Sequence, residues 1–251
     1  MLPAPPDTRP FPWEMTLTVQ SFSSTAAPVR VWDLLAVVAL TAAVLYAARL
    51  MVGAVTVTPL GLVGLMLLAA LAPIVAVWVV MVRLRGVAWA DLGLRAASGR
   101  HLGWGVVLGL LTVPLAGLVN ALVTSLTDGP FENPQIEVLA PTALSVPAMV
   151  GMLVLAAGVA PVVEEIVFRG VLYGWLRRFL SPAAGIVLSA LVFGAVHGIP
   201  QLVPALAVQG VVLAMVYERT RSLWPSIVLH GVFNAVMLGA LYGVTRATSV
   251  L

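Results

Sequence analysis

The chain has 251 residues, 61% hydrophobic and 9% charged, with a formal net charge of +3. A soluble domain carries roughly a quarter charged residues, and no core hides this much apolar surface without lipid to face, so the composition implies a polytopic membrane protein. The absence of cysteine excludes disulfides, thiolate metal sites and a cysteine nucleophile, and the few basic residues, all arginine, are too sparse for a nucleic-acid-binding surface.

Residues 1–28 are rich in Pro, Ser and Thr and lack an apolar run. They read as an N-terminal cytoplasmic tail, not a cleaved signal peptide. Apolar runs of about 20 residues predict transmembrane helices over 31–48, 56–81, 103–124, 144–166, 183–199, 202–217 and 224–244, the fourth continuing helically to about Arg178. The fifth and sixth are short and joined by Gly198-Ile199-Pro200, so the expected all-α bundle has about seven spans, within a range of six to eight. Residues 29–140 form its N-terminal set of helices and 141–251 the part that holds the polar motifs.

Arginine placement orients the bundle. With the N-terminus in the cytoplasm, Arg9, Arg30, Arg83, Arg85, Arg95, Arg100, Arg177, Arg178, Arg219 and Arg221 fall inside, and Arg49 and Arg246 outside. This positive-inside bias predicts a multi-pass plasma-membrane protein with a cytoplasmic N-terminus. Trp32, Trp104, Trp175 and Trp224 land near inner boundaries, where indoles are favoured. The stretch 125–143, with Asp128, Glu132, Glu137 and no arginine, reads as an outer connector. Glycines four apart (Gly105 and Gly109, Gly170 and Gly174, Gly194 and Gly198, Gly239 and Gly243) predict close helix contacts.

Six polar residues stand in apolar surroundings: Glu164, Glu165, Arg169, His197, His230 and Asn234. A charge at mid-bilayer costs about 2.5–3.5 kcal/mol on insertion scales, so such residues face a protein interior or wet cavity and are read as functional. Glu165 and Arg169 are four apart and share a helix face, where the guanidinium fork suits a carboxylate. Glu164 points about 100° away from Glu165 and has no local partner, which leaves it as a candidate general base. Phe193 and His197 share a face, as do His230 and Asn234. By helical rise, Glu164 and His197 lie about 20 Å from the inner boundary, His230 about 9 Å and Asn234 about 15 Å, which suggests a cavity opening inward.

The series Glu164-Glu165-x-x-x-Arg169, Phe193-x-x-x-His197 and His230-x-x-x-Asn234, in that order on successive helices, resembles the CAAX prenyl protease and bacteriocin-processing family of intramembrane endopeptidases. The matching stretch runs from about 145 to 240, and Asp91-Leu92-Gly93-Leu94-Arg95 resembles a juxtamembrane element of the same family. The resemblance implies that 141–251 is a protease core whose site opens to the cytoplasm or the lipid. It implies a peptide or membrane-anchored protein substrate, cut near the cytoplasmic leaflet. Carried over residue by residue, Glu164 and His197 activate water, His230 and Asn234 stabilise the oxyanion, Glu165 with Arg169 supports the site, and Phe193 packs beside it. Glu164, His197 and His230 also make a donor set for one divalent metal such as zinc; the sequence leaves metal-free and metal-bound chemistry equally open.

A zincin helix and a Gly-x-Ser-x-Gly elbow are both absent. A non-catalytic immunity or scaffold protein of the same fold is the alternative, and a proton-relay transporter a third reading that lacks the expected internal repeat. Asn120 and Gln209 read as interhelical hydrogen-bonding residues, Asp33 and Glu218 as solvated boundary residues, His101 as interfacial, and the methionines as packing or lipid-facing.

Overall fold

The computed structural model describes residues 29–52, 59–127 and 145–248. Among them seven helices follow in order: α1 (Val31–Val52), α2 (Pro59–Val77, continued by a π-helical stretch Trp78–Leu84), α3 (Gly99–Leu126), α4 (Val146–Leu176), α5 (Pro182–Ala195), α6 (Val203–Thr220) and α7 (Leu223–Thr248). Each expected span corresponds to one helix. Six are long and apolar enough to cross a membrane; α5, with 14 residues, is not. At 1.5 Å per residue it covers about 21 Å of a hydrocarbon layer about 30 Å thick. The expected range of six to eight spans therefore turns on α5, which ends in a turn through Gly198 (φ +72°) before Pro200. The N-terminal tail, and the outer connector beyond Thr127, lie outside the described residues.

Helix starts follow local chemistry. Ser98 accepts from the His101 backbone N–H at the start of α3, and Ser181 from Ala184 N–H at the start of α5, where Pro182 supplies a preset φ. Asp33 was expected to be solvated, but it is 6% exposed. Its carboxylate accepts from the Arg30 backbone N–H at 2.8 Å and from Arg85 Nε at 3.2 Å, so it caps α1 and ties it to the end of α2. Glu218 is likewise engaged rather than solvated. It accepts from Tyr173 Oη (2.8 Å), Arg177 Nη2 (3.3 Å) and Arg221 Nη2 (3.0 Å), joining α4 to the α6–α7 turn.

Packing shows which glycines matter. A Cβ on Gly105 or Gly109 would lie 2.6 Å from Pro225 O or 2.7 Å from Leu229 O, so this pair lets α3 run against α7. Gly170 and Gly194 stand at close approaches, but Gly174 and Gly198 do not, and Gly239 and Gly243 meet nothing within 4 Å. A four-residue glycine spacing helps only where another helix crosses it. That condition holds for both members of the pair in α3 alone.

The arginine-bearing end of the bundle is solidly packed. Val80, Met81, Leu92, Ile166, Tyr173, Tyr217 and Leu223 are buried in one cluster there. The segment Asp91–Arg95 wedges into it. Leu92 O abuts Gly170, Gly93 (φ +99°) sits against Tyr217, Gly93 O accepts from Leu223 N–H, and Arg95 O accepts from Ser222 Oγ. An L side chain at Gly93 would be strained as well as crowded.

Candidate active site

Helix α4 departs from regular α geometry twice, over Leu155–Val159 and Ile166–Tyr173, where it widens to π-helical turns. Pro161 follows the first of these and has no N–H to give. The carbonyls four and five residues before it turn toward α7 instead. Ala156 O accepts from Asn234 Nδ2 at 2.8 Å, and Ala157 O lies 2.5 Å from where a Cβ on Gly231 would stand. Proline on α4 and glycine on α7 thus bring the two helices together at the height of His230 and Asn234.

Glu165 is 0% exposed and Arg169 1%. Arg169 Nη1 donates to Glu165 Oε1 at 2.9 Å, the ion pair expected from the four-residue spacing. A second guanidinium nitrogen, Nη2, donates to Gly210 O at 3.2 Å, which ties α4 to α6. The same Glu165 Oε1 is 3.1 Å from His230 Nδ1. An ionised carboxylate only accepts, so His230 carries its proton on Nδ1 and turns Nε2 toward Glu164. That nitrogen is 3.7 Å from Glu164 Oε2, an electrostatic contact beyond hydrogen-bond length. The imidazole that the structure sets beside Glu164 is therefore His230, whereas the sequence pairs Glu164 with His197. No contact between Glu164 and His197 is seen among the described residues.

His197 stands at the tip of the α5–α6 connection. Its Nδ1 donates to Phe193 O at 2.8 Å, which leaves Nε2 as an acceptor. Phe193, 1% exposed, lies among these groups. Its ring is edge-on to His197 (5.1 Å between centroids), His230 (5.7 Å) and Phe168 (5.2 Å), with Arg169 Cζ 4.6 Å above it. It sets the spacing of both imidazoles and the guanidinium.

Glu164, Phe193, His197, His230 and Asn234 line one cavity of about 620 Å³, while Glu165 and Arg169 lie behind its wall. The other lining groups are mostly apolar, among them Met66, Met152, Leu155, Phe233, Met237 and Leu241, with Asn120 and Gln209 as polar exceptions. Of the three methionines in this lining, Met152 and Met66 also pack in one apolar cluster and Met237 is exposed, as expected for packing or lipid-facing residues. Asn120 and Gln209 face the cavity rather than joining helices, and Gln209 Nε2 has no hydrogen-bond partner among the described residues. The cavity also runs opposite to the expected inward direction. Leu241 is about three turns beyond His230 along α7, and Asn120 about six turns from the start of α3. The lining rises from the acid–imidazole cluster toward the arginine-poor end.

The metal-binding set does not assemble. Among the described residues no three His, Asp or Glu side chains converge in a way that could hold a metal ion. As the side chains stand, the described residues do not form a zinc site.

Fold and site together define a multi-pass helical membrane protein with acid, imidazole and amide groups gathered in a cavity within its spans. Residues 146–236 match the family model described as Type II CAAX prenyl endopeptidase Rce1-like. The chain is 28% identical over 87 residues to the "Putative membrane peptidase YdiL" of Bacillus subtilis (strain 168), an alignment that covers 35% of this chain and 36% of that protein. The chain thus spans about a third of the length of the curated relative it matches. No solved structure matches the chain significantly. The family match falls on the segment that carries the three motifs, and both findings support the CAAX protease and bacteriocin-processing family.

Proposed function

We propose that the protein is an intramembrane endopeptidase that uses Glu164 and His197 to activate water. The observation that carries this reading is the convergence of Glu164, His197, His230 and Asn234, from three separate segments, on one cavity. Glu164, with 29% of its side chain exposed, accepts the water proton, and the His197 Nε2 lone pair faces the same space. The water oxygen bonds to the peptide carbonyl carbon, the C–N bond breaks, and the transferred proton returns to the leaving amine. Asn234 spends one Nδ2–H on Ala156 O and keeps its second for the developing oxyanion. His230 Nε2 adds a donor there when its ring is doubly protonated. With the arginine-bearing end in the cytoplasm, His230 lies about 10 Å and Glu164 about 18 Å from it along their helices, so the scissile bond is held near the middle of a hydrocarbon layer about 30 Å thick. The N-terminus is cytoplasmic in this orientation.

The test is cleavage of a peptide library by the detergent-solubilised protein. Glu164→Gln is expected to lower kcat by about 10²–10⁴-fold, and a chelator to leave the wild-type rate unchanged. Full activity in Glu164→Gln would point to the non-catalytic scaffold reading. Loss on chelation with recovery on adding zinc would overturn the metal-free mechanism.

A further inference from the structure

Resting on the peptidase reading, we infer that Gln209 binds the substrate backbone, its side-chain amide donating to a peptide carbonyl inside the cavity. Gln209 is 2% exposed and lines the cavity, and its Nε2 has no hydrogen-bond partner among the described residues. A buried donor without a partner has given up its hydration and gained nothing in return. Such a group in a folded protein points to something that completes it. A carboxamide matches a peptide group, because Nε2 donates where a backbone carbonyl accepts, and Oε1 accepts where a backbone N–H donates.

The place of Gln209 in the fold suits that role. Ala205, Leu206 and Gln209 are spaced three and four apart on α6 and line the cavity together, with Gln209 the polar member of that face. By helical rise Gln209 stands about 17 Å from the arginine-bearing end of α6, the level that Glu164 occupies on α4. Its backbone is held through the next residue. Gly210 O accepts from Arg169 Nη2 at 3.2 Å, and a Cβ on Gly210 would lie 3.0 Å from Ala190 and 3.3 Å from the Phe193 ring. Arg169 is paired with Glu165, and Phe193 meets His197 and His230 edge-on. The amide is therefore fixed relative to the acid–imidazole cluster before substrate arrives, as a positioning contact needs to be. Within a mostly apolar wall, one such polar group sets the register of the bound chain.

The test is binding of a dye-labelled alternating Leu-Ala peptide to Glu164→Gln protein in detergent. Adding Gln209→Met, which keeps the length of the side chain and removes the amide, is expected to weaken binding about tenfold, as for one lost hydrogen bond. Tm is expected to stay unchanged or rise, because no partner within the protein is left unpaired. Each amide of the peptide is then replaced in turn by an ester, whose carbonyl is the weaker acceptor. One replacement is expected to weaken binding to Glu164→Gln protein and to have little effect once Gln209→Met is added. A lower Tm would make Gln209 a structural residue and overturn the inference. Unchanged affinity, the same ester sensitivity with and without Gln209→Met, or no saturable binding before Gln209 is altered would each overturn it too. Library cleavage by wild type and its loss in Glu164→Gln decide the peptidase reading separately. A protein that passes that assay yet binds the peptide equally well with Gln209→Met overturns this inference alone.

Discussion

Glu165 is fully buried, and its Oε1 receives both Arg169 Nη1 and His230 Nδ1, while Glu164, one residue earlier, faces the cavity. The two neighbours should therefore fail differently. Glu165→Gln leaves the buried Arg169 without its counter-ion, and breaking such a pair costs about 3–5 kcal/mol. Glu164→Gln removes no such partner and should change stability by about 0.5 kcal/mol or less. Thermal unfolding in detergent is expected to separate them: Tm falls sharply for Glu165→Gln and holds for Glu164→Gln, while cleavage is lost in both. Equal Tm values would show that Glu165 does not carry the ion pair's stabilising role. The Glu165–Arg169 half of this network was legible in the sequence, because four residues of helix fix which side chains share a face. The His230 half was not. It joins residues 65 apart, and the orientation that puts His230 rather than His197 beside Glu164 depends on how α7 rotates against α4.

That rotation is set by the elements themselves. Pro161 withdraws a donor from α4, the carbonyls of Ala156 and Ala157 face α7, and Gly231 lets α7 approach them. Gly231→Ala would place a methyl 2.5 Å from Ala157 O, closer than real Cβ contacts, so α7 must move away and take His230 and Asn234 with it. The expected outcome is at least a tenfold fall in kcat/KM, a few tenths of an ångström of misplacement being costly where groups act in concert. Gly239→Ala on the same helix meets nothing within 4 Å and should be silent. Parallel assays of the two variants check the claim, and matching losses would mean that helix propensity, not the α4 contact, governs. Sequence spacing drew attention to Gly239 and Gly243 and passed over Gly231. Four-residue glycine periodicity is visible in a chain, whereas the single glycine that faces a proline-freed carbonyl is visible only once two helices are set side by side.

At the scale of the whole molecule a packed, arginine-bearing end and a second apolar cluster around Met152, Leu155, Leu238 and Tyr242 flank the cavity, and the composition that revealed the spans could not reveal that arrangement. Apolar residues look alike in sequence whether they fill a core, face lipid or line a cavity, and Met152 both packs in a core cluster and lines the cavity. The packed end is held by polar ties as well as apolar ones. Glu218 is central, because it meets Tyr173 and Arg177 from α4 and Arg221 at the left-handed turn (φ 54°) between α6 and α7. An arginine in that backbone region is strained, and its hydrogen bond to Glu218 offsets the cost. Glu218→Ala leaves two neighbouring guanidinium groups without this carboxylate and loosens the turn, an expected loss of about 2–3 kcal/mol. Glu218 lies more than two helical turns from Gln209 and does not line the cavity. The variant should therefore show a lower Tm but a kcat/KM within about twofold of wild type at a temperature where both are folded. A selective loss of kcat/KM with Tm intact would instead mean that the arginine-bearing end communicates with the acid–imidazole cluster, and that the two halves of the bundle do not act as separate structural units.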